Sequence, residues 1–254
     1  MPELPDLQVF SRNLTKALKG KKIETVICYS KKLNVPVKQL QEALEGAGLT
    51  KVERAGKELH LMFDNKHVLG LHLMLHGQLK LAKDEEHKSL VIALRFNDGQ
   101  VLSLTDFQAA ATPTLDPKEN NTPDALEVTE HYLQEKLGRT KTPIKTVLMD
   151  QKVVRGIGNA YADEILWDAR LSPFSTSNKI PAGKVKELTH SIKKVLEDAE
   201  KQILTDHPDI ITGEYRDFME VHNARKKKTS TGADVLQKPI ASRKTYYTSE
   251  QEEY

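Results

Sequence analysis

The spacing of apolar residues changes halfway along this 254-residue chain, from every second residue to a helical repeat. In the first half, apolar and polar residues alternate in segments 59–63, 67–75, 89–96 and 100–104. Asn97-Asp98-Gly99-Gln100 supplies a hairpin turn between the last two segments. Consecutive strands joined by turn signals predict an antiparallel β-sandwich in this half of the chain.

Two further elements are expected before these strands. A helix over 6–19 is predicted by four apolar residues at helical spacing, Leu7, Phe10, Leu14 and Leu18. The strand that follows is expected to turn four residues toward one face, Ile23, Thr25, Ile27 and Tyr29. The sandwich is therefore predicted to be flanked by helical structure.

Helical spacing dominates the second half, where it predicts helices over 130–137, 144–151, 159–169 and 184–204. Three prolines interrupt the polar stretch before them, which is typical of a linker. We therefore expect an α+β protein of four segments. They are a sandwich domain at 1–115, a linker at 116–128, a helical domain at 129–220 and a final segment at 221–254.

The net charge is small, but the charges are unevenly distributed. The chain has 38 Lys and Arg against 36 Asp and Glu, which gives 38 − 36 = +2 and argues against a uniformly basic nucleic-acid-binding surface. Residues 221–249 hold seven Lys or Arg and one Asp, a local charge of 7 − 1 = +6, so the rest carries 2 − 6 = −4. With Tyr246 and Tyr247 beside it, this basic segment favours nucleic-acid binding, although some basic tails only increase solubility.

Several classes of protein are excluded. No apolar run reaches the roughly 18 residues that a membrane-spanning helix needs. The start MPELPDLQ lacks the basic and apolar regions of a secretory signal, so we expect a cytoplasmic protein, nucleoid-associated if bacterial, that is not secreted. Cys28 is the only cysteine, which rules out an intrachain disulfide and a zinc site built from several thiolates.

Pro2 and Glu3 are the first candidates for catalysis. Removal of Met1 would expose a secondary amine at Pro2, and an α-amine titrates near pH 8, well below lysine. Such an amine can attack an aldehydic carbon to give an iminium ion, and the Glu3 carboxylate can act as general acid. The same residues also suit a simple entry into the first helix, beside Pro5 and Asp6, and composition alone favours that second interpretation.

Two further positions are typical of phosphate binding. Gly156-Ile157-Gly158-Asn159 lies between two predicted helices, where backbone N–H groups at a helix start can approach an anion. An ordinary turn with Asn159 as N-cap explains the same pattern. Lys57, at the start of a predicted strand, can reach a phosphate or simply be solvated.

Five sequence blocks resemble the formamidopyrimidine-DNA glycosylase / endonuclease VIII family over nearly the whole chain. In order they are PELPD at 2–6, RAGKELHL at 54–61, HLMLHGQL at 72–79, IKTVLMDQKVVRGIGNAYADEILWDARLSP at 144–173, and PIASRKTYY at 239–247. The resemblance implies a β-sandwich followed by a helix-two-turn-helix domain and a β-hairpin finger. It also implies a DNA-repair enzyme that excises an oxidised base and cleaves the strand by β,δ-elimination.

The resemblance also assigns roles to residues. Pro2 becomes the Schiff-base nucleophile and Glu3 the acid/base catalyst, with Lys57 beside them as a phosphate-binding residue of the catalytic site. Asn159 and Arg243 become DNA-binding residues. Leu75, with Met74 next to it, takes the place of a methionine that fills the space left by the extruded nucleotide, a step that the chemistry requires. The partner is damaged double-stranded DNA and the expected state a monomer.

The chain departs from the family pattern at four places. The finger cysteines are absent, with Thr248 and Gln251 near two of their positions, so we expect a zincless finger and no bound zinc. Asp6 stands where the family has glutamate. Ala109 and Ala110 stand where the glycosylase branch has an arginine and a phenylalanine that fill the vacated space. The segment between Phe218 and the finger is short, which leaves the choice of lesion open.

Two other hypotheses suit the same sequence. The missing bulky side chains at 109 and 110 also suit a damaged-DNA-binding relative without catalysis. Helix-two-turn-helix elements occur in proteins that bind structured RNA as well, although that hypothesis leaves the PELP motif unexplained.

Overall fold

The computed structural model describes residues 1–84 and 88–254, which form two compact units. The first unit comprises Met1–Asn120 and Ile203–Glu214, and the second comprises Asn121–Gln202 and Tyr215–Tyr254. The α+β class is confirmed, because antiparallel strands make up most of the first unit and helices most of the second.

In its described residues, the first unit holds two complete helices, the end of a third, and two four-stranded antiparallel sheets. The complete helices are α1 (Leu4–Leu18) and α2 (Val37–Leu44). One sheet has the order β1-β6-β7-β5, with β1 (Ile23–Cys28), β5 (Gln78–Ala82), β6 (Leu90–Phe96) and β7 (Val101–Thr105). The other has the order β2-β3-β4-β8, with β2 (Leu49–Ala55), β3 (Glu58–Phe63), β4 (Val68–His72) and β8 (Thr112–Leu115).

One continuous apolar cluster contains side chains from both sheets and from α1. Leu59, Leu61 and Phe63 alternate inward along β3, as their period of two predicts. Leu7, Phe10, Leu14 and Leu18 form the buried stripe of α1, also as predicted. Each such side chain gains about 1.5–3 kcal/mol on burial, so this cluster supplies most of the stabilisation of the first unit.

The expected inner face of β1 is wrong beyond its first residue. Ile23, Val26 and Cys28 are buried, whereas Thr25 and Tyr29 are exposed and Ile27 is half-buried. The pairing of β1 with β6 shifts between Ile23 and Thr25, and this irregularity moves the following residues to the opposite face. A strict period of two cannot anticipate that shift.

The second unit begins with α3 (Glu130–Gly138), α4 (Ile144–Met149) and α5 (Asn159–Asp168), followed by a 3₁₀ helix (Ser177–Lys179). The long α6 (Ala182–Asp206) buries Val185, Leu188, Ile192 and Leu196 within this unit. The final segment forms a hairpin of β9 (Leu236–Ile240) and β10 (Arg243–Tyr247). In the described residues, no helix is long and apolar enough to cross a membrane.

Candidate active site and nucleic-acid interface

Pro2 and Glu3 are held at the start of α1. Glu3 is the N-cap residue of this helix and is only 4% exposed. Its backbone N–H donates to Asp6 Oδ2 at 2.8 Å, and the two residues form a capping box. Asp6 therefore makes the local contact despite being one methylene shorter than glutamate. A carboxylate at this helix N-terminus is also favoured by the helix dipole, so Glu3 is fixed directly after Pro2.

A cavity of about 370 Å³ opens beside Pro2 within the first unit. Its wall includes Leu75 and His76 from one turn, Phe107 from another, and Glu214 from the segment after α6. The volume is within the range of small-molecule sites, about 300–1,000 Å³, and leaves room for a single nucleobase. The terminal ammonium of Met1 forms an ion pair with the Glu214 carboxylate.

The turn that carries Met74 and Leu75 is tightly closed. Gly77 N–H donates to the Leu73 carbonyl at 2.9 Å, and a Cβ at Gly77 would lie 2.2 Å from that oxygen, so only glycine fits there. Met74 has a φ of 54° and its N–H donates to His72 Nδ1 at 3.0 Å. This backbone geometry leaves Leu75 60% exposed at the mouth of the cavity.

Lys57 lies in the turn between β2 and β3, which approaches the Leu73–Gly77 turn. Ala55 pairs with Glu58, so Gly56 and Lys57 form a two-residue turn, and the φ of 61° at Gly56 is that of a type II′ turn. On the other side of β3, Glu58 pairs with His72 at the end of β4, directly before the Leu73–Gly77 turn. Burial lowers the pKa of His72, and the Lys57 ammonium adds to this effect while Glu58 opposes it. The neutral imidazole can therefore accept the Met74 N–H.

The loop after β7 presents an aromatic residue, Phe107, that no sequence pattern indicates as part of a site. The Asp106 carboxylate accepts backbone N–H groups from Gln108, Ala110 and Ala111 at 2.7–2.9 Å. Burial alone would raise the pKa of Asp106, but these three bonds lower it overall. The loop curls around this carboxylate and leaves Phe107 71% exposed, with its ring 4.6 Å from that of His76.

The structure places Pro2, Leu75 and Phe107 on one cavity. Phe107 stands two positions before Ala109, where the loop lacks bulky side chains. The only available signal for it was an aromatic residue in an otherwise polar turn, directly after Asp106. Glu214 had no sequence signal at all, because its place beside the N-terminus depends on contacts far apart in the chain.

Asn159 and Arg243 come together in the second unit. Asn159 is the first residue of α5, and Gly158 rather than Asn159 is the N-cap, which corrects the expected cap. Asn159 Nδ2 donates to the carbonyl of Lys244, the neighbour of Arg243, at 3.1 Å. Arg243 begins β10 and is exposed beside a cavity of about 250 Å³. The backbone next to Arg243 thus contacts the first residue of α5, and a cation near a helix N-terminus suits an anion.

The hairpin is joined to the helices by a buried ion pair. Lys145 of α4 is 1% exposed, and its Nζ lies 2.7 Å from Asp163 Oδ1 of α5 and 2.9 Å from Thr245 Oγ1 of β10. Asp163 Oδ2 also accepts from His222 Nδ1 at 2.7 Å and from Tyr246 N–H at 3.0 Å. One carboxylate therefore connects α4, α5, the segment before the hairpin, and β10.

The adjacent Glu164 anchors the same segment by its backbone. Its carboxylate accepts the N–H groups of Glu220, Val221 and His222 at 2.7–2.8 Å. Burial raises the pKa of Glu164, although these three bonds lower it in part. Together, Asp163 and Glu164 hold the start of the segment that leads from Glu220 to the hairpin, and Asp163 also holds β10 of the hairpin itself.

The residues at the base of the hairpin do not fit zinc. Thr248 N–H donates to Gln251 Oε1 at 2.8 Å, and Gln251 Nε2 donates to the Leu171 carbonyl at 2.9 Å. A hydroxyl and an amide are not the thiolate and imidazole ligands that zinc prefers, and these hydrogen bonds already hold the hairpin base. Throughout residues 1–84 and 88–254, no group of three His, Cys, Asp or Glu is arranged to hold a metal ion.

The basic cluster at 225–228 is partly neutralised by internal contacts. Lys226 Nζ lies 3.1 Å from Glu220 Oε2, and Lys228 Nζ lies 3.1 Å from Asp234 Oδ1. Arg225 and Lys227 are exposed. The local charge available to a polyanion at this cluster is therefore smaller than the sequence count suggests.

Comparisons with known proteins agree with this fold. The family model of the formamidopyrimidine-DNA glycosylase N-terminal domain matches residues 1–112, and that of the H2TH domain of the same enzyme matches residues 120–206. The formamidopyrimidine-DNA glycosylase of Lactobacillus helveticus is 33% identical over 219 residues, covering 79% of this chain and 78% of the relative. That of Bacillus cereus is 29% identical over 269 residues, covering 97% of each.

Solved structures are similar over the full length. The Lactococcus lactis formamidopyrimidine-DNA glycosylase, bound non-covalently to abasic-site DNA, has a TM-score of 0.86 at 25% identity and covers 99% of this chain and 100% of its own. A MutM structure in complex with DNA containing carbocyclic 8-oxo-G has a TM-score of 0.87 at 26% identity. These findings confirm the resemblance seen in the sequence: the chain belongs to the formamidopyrimidine-DNA glycosylase family, whose members are DNA-repair enzymes that excise damaged bases.

Proposed function

We propose that this protein is a bifunctional DNA glycosylase and abasic-site lyase, which excises an oxidised base and then cleaves the strand by β,δ-elimination. The observation that carries the proposal is the position of Pro2 on a cavity with room for a nucleobase, directly before the N-cap Glu3. The relatives described above, one of them bound to abasic-site DNA, support the same class of substrate.

The proposed reaction uses the Pro2 amine after removal of Met1. Its lone pair attacks C1′ of the damaged nucleotide, while Glu3 protonates the sugar oxygen or the leaving group as a general acid. The resulting iminium ion acidifies the neighbouring carbon and so promotes elimination of the 3′ phosphate, followed by the 5′ phosphate. With Met1 attached, the Pro2 nitrogen is a tertiary amide and cannot react in this way.

Lys57, Asn159 and Arg243 are proposed to bind phosphates of the damaged strand. Each phosphate neutralised by the charge of Lys57 or Arg243 releases counterions, so log affinity falls with log salt by about 0.9 per phosphate neutralised. Replacement of Arg243 by alanine should weaken binding to all sequences alike and reduce the salt slope by about one. An equal loss of affinity without a change in slope would contradict a phosphate contact.

Leu75, supported by Met74 and joined by Phe107, is proposed to fill the space that the extruded nucleotide leaves. Extrusion costs a few kcal/mol in a paired duplex and less in single-stranded DNA. Leu75→Ala and Phe107→Ala should therefore slow base excision from duplex DNA more than from single strands. An equal loss on both substrates would argue against this role.

Borohydride trapping on DNA with an abasic site tests the central proposal. The wild-type protein should give a covalent adduct on the tryptic peptide that begins at Pro2 and ends at Arg12. The adduct should be strongly reduced in Pro2→Gly and absent from protein whose mass shows that Met1 remains. Pro36→Gly, a proline substitution in the loop before α2, serves as the matched control and should react normally.

Binding measurements made beside the trapping assay distinguish the other two hypotheses. Tight binding to abasic duplex without any adduct would identify a non-catalytic damage-binding protein. Stronger binding to structured RNA than to abasic duplex, again without any adduct, would instead identify an RNA-binding protein. Either result would refute the catalytic role of Pro2.

A further inference from the structure

Glu214 lies beside the N-terminus in a position that its own segment fixes. The Ile210 carbonyl accepts a hydrogen bond from Asn13 Nδ2 of α1 at 2.8 Å, and Thr212 Oγ1 accepts one from Leu79 N–H of β5 at 3.1 Å. Gly213, with a φ of 86°, then turns the chain, so that Glu214 lines the same cavity as Pro2. Two elements of the first unit thus hold this carboxylate at the cavity wall.

The carboxylate already contacts the terminal amine of the unprocessed chain. Met1 and Glu214 form an ion pair, and the side chain of Glu214 is 37% exposed. Consecutive residues are separated by about 3.8 Å between Cα atoms, so the Pro2 nitrogen lies at most about 3.8 Å from the Met1 nitrogen that Glu214 contacts. An opposite charge within about 4–6 Å stabilises a protonated amine.

We propose that Glu214 is the counter-ion and proton acceptor of the Pro2 amine during Schiff-base formation. This inference rests on the proposed function and adds a second carboxylate to the site. Glu3 directly follows Pro2 in the chain, whereas Glu214 contacts Met1, which precedes Pro2. The other titratable or charged groups that line the described part of the cavity are His76, Lys88 and Asp106. Asp106 is engaged by the three backbone N–H groups of its own loop, which leaves Glu214 as the carboxylate in contact with the N-terminus.

The proton and electron movements balance. The protonated amine transfers one proton to Glu214, and its lone pair forms a bond to the aldehydic C1′ of an abasic site, while the carbonyl electrons move to oxygen. The second amine proton moves to that oxygen to give a carbinolamine. Glu214 then returns its proton to the hydroxyl, which leaves as water, and the nitrogen lone pair forms the iminium. The carboxylate ends unprotonated beside a cation that it stabilises.

The test is the rate of borohydride trapping on abasic-site DNA between pH 5.5 and 9, with processed protein. In Glu214→Gln, loss of the negative charge should shift the acidic limb of the profile to lower pH by about one unit. The plateau at high pH should fall about three- to tenfold, because the iminium loses its counter-ion. Glu214→Asp retains the charge and should follow the wild-type profile.

Glu24→Gln, on the exposed face of β1, is the control with the same change in net charge, and its profile should match the wild type. A Glu214→Gln profile that superimposes on the wild type would overturn the inference while the wild-type adduct upholds the proposed function. Equal losses in Glu214→Gln and Glu214→Asp would also overturn it, because they would indicate a structural role. Absence of any wild-type adduct would refute both proposals.

Discussion

Both units have buried apolar side chains, but they differ in what holds the segments that carry their candidate functional residues. In the first unit, an apolar cluster from two sheets and α1 forms the scaffold, and the candidate catalytic groups lie in turns and at a helix start. In the second unit, the buried charges of Lys145, Asp163 and Glu164 join the helices to the segment that carries the hairpin. Apolar contacts are non-directional, whereas a buried charge needs specific partners.

This difference determines how each unit should respond to substitution. Loss of an apolar side chain costs free energy in proportion to the cavity that it leaves. Loss of one partner of a buried ion pair leaves the other charge uncompensated, which costs more than the pair itself contributes. The second unit should therefore be more sensitive to single polar substitutions than the first.

The largest effect is expected for Asp163→Asn. The buried ammonium of Lys145 would lose the Asp163 carboxylate that it contacts, which should lower the free energy of unfolding by about 3–5 kcal/mol. Fluorescence of Trp167, the single tryptophan, reports on this unit during urea unfolding because it lies in α5. Asp198→Asn, which breaks an exposed pair with Lys201, is the control and should cost less than about 1 kcal/mol. Equal losses in the two variants would contradict the comparison.

A somewhat smaller effect is expected for Leu61→Ala in the sandwich. Leu61 is fully buried in β3 between two neighbouring strands, so its truncation should cost about 2–5 kcal/mol. The midpoint of unfolding followed by circular dichroism measures this loss. Val37→Ala, at the exposed start of α2, should change it by less than about 1 kcal/mol. A polar substitution in the first unit that lowered the free energy of unfolding more than Leu61→Ala would contradict the difference proposed between the two units.

The same difference explains what the sequence could predict. The stripe of α1 and the alternation in β3 depend only on local spacing, and both were predicted correctly. The inner face of β1 was wrong, because a pairing irregularity is set by β6, far along the chain. In the sequence, Lys145 and Asp163 look like ordinary surface residues of amphipathic helices, since nothing local indicates that they form a buried ion pair.

The candidate site divides in the same way. Pro2 and Glu3 were predicted as catalytic from the chemistry of two adjacent residues and from the family motif, and those roles stay predictions. Glu214 and Phe107 were missed, because one depends on a segment about 210 residues away and the other on how the Asp106 loop closes. Chemistry carried by adjacent residues is visible in a sequence, whereas chemistry assembled from distant segments requires the fold.

A moderate effect is expected for Glu164→Gln in the second unit. The amide would place a donor NH₂ group against at least one of three backbone N–H groups, so one hydrogen bond is lost and two donors face each other. This should cost about 1–3 kcal/mol. Urea unfolding followed by Trp167 measures the loss, and Glu127→Gln, an exposed substitution in the same unit, is the control. A neutral result would mean that the three hydrogen bonds are dispensable.

The smallest effect concerns the Leu73–Gly77 turn of the first unit. Here one neutral imidazole accepts the hydrogen bond that holds the turn, whereas buried charges hold the hairpin segment of the second unit. Because the pKa of His72 is lowered on folding, its contribution to stability is complete above its ordinary value of 6.5 and is lost as pH falls through the folded value. Protonation at Nδ1 would break the bond from Met74 N–H, which should cost about 0.5–1.5 kcal/mol. The Met74 amide resonance should shift with this titration.

In His72→Asn, a side-chain oxygen can accept the same N–H at every pH, so the turn should persist and the titration disappear. A Met74 amide that titrates identically in His72→Asn would show that the imidazole does not hold the turn.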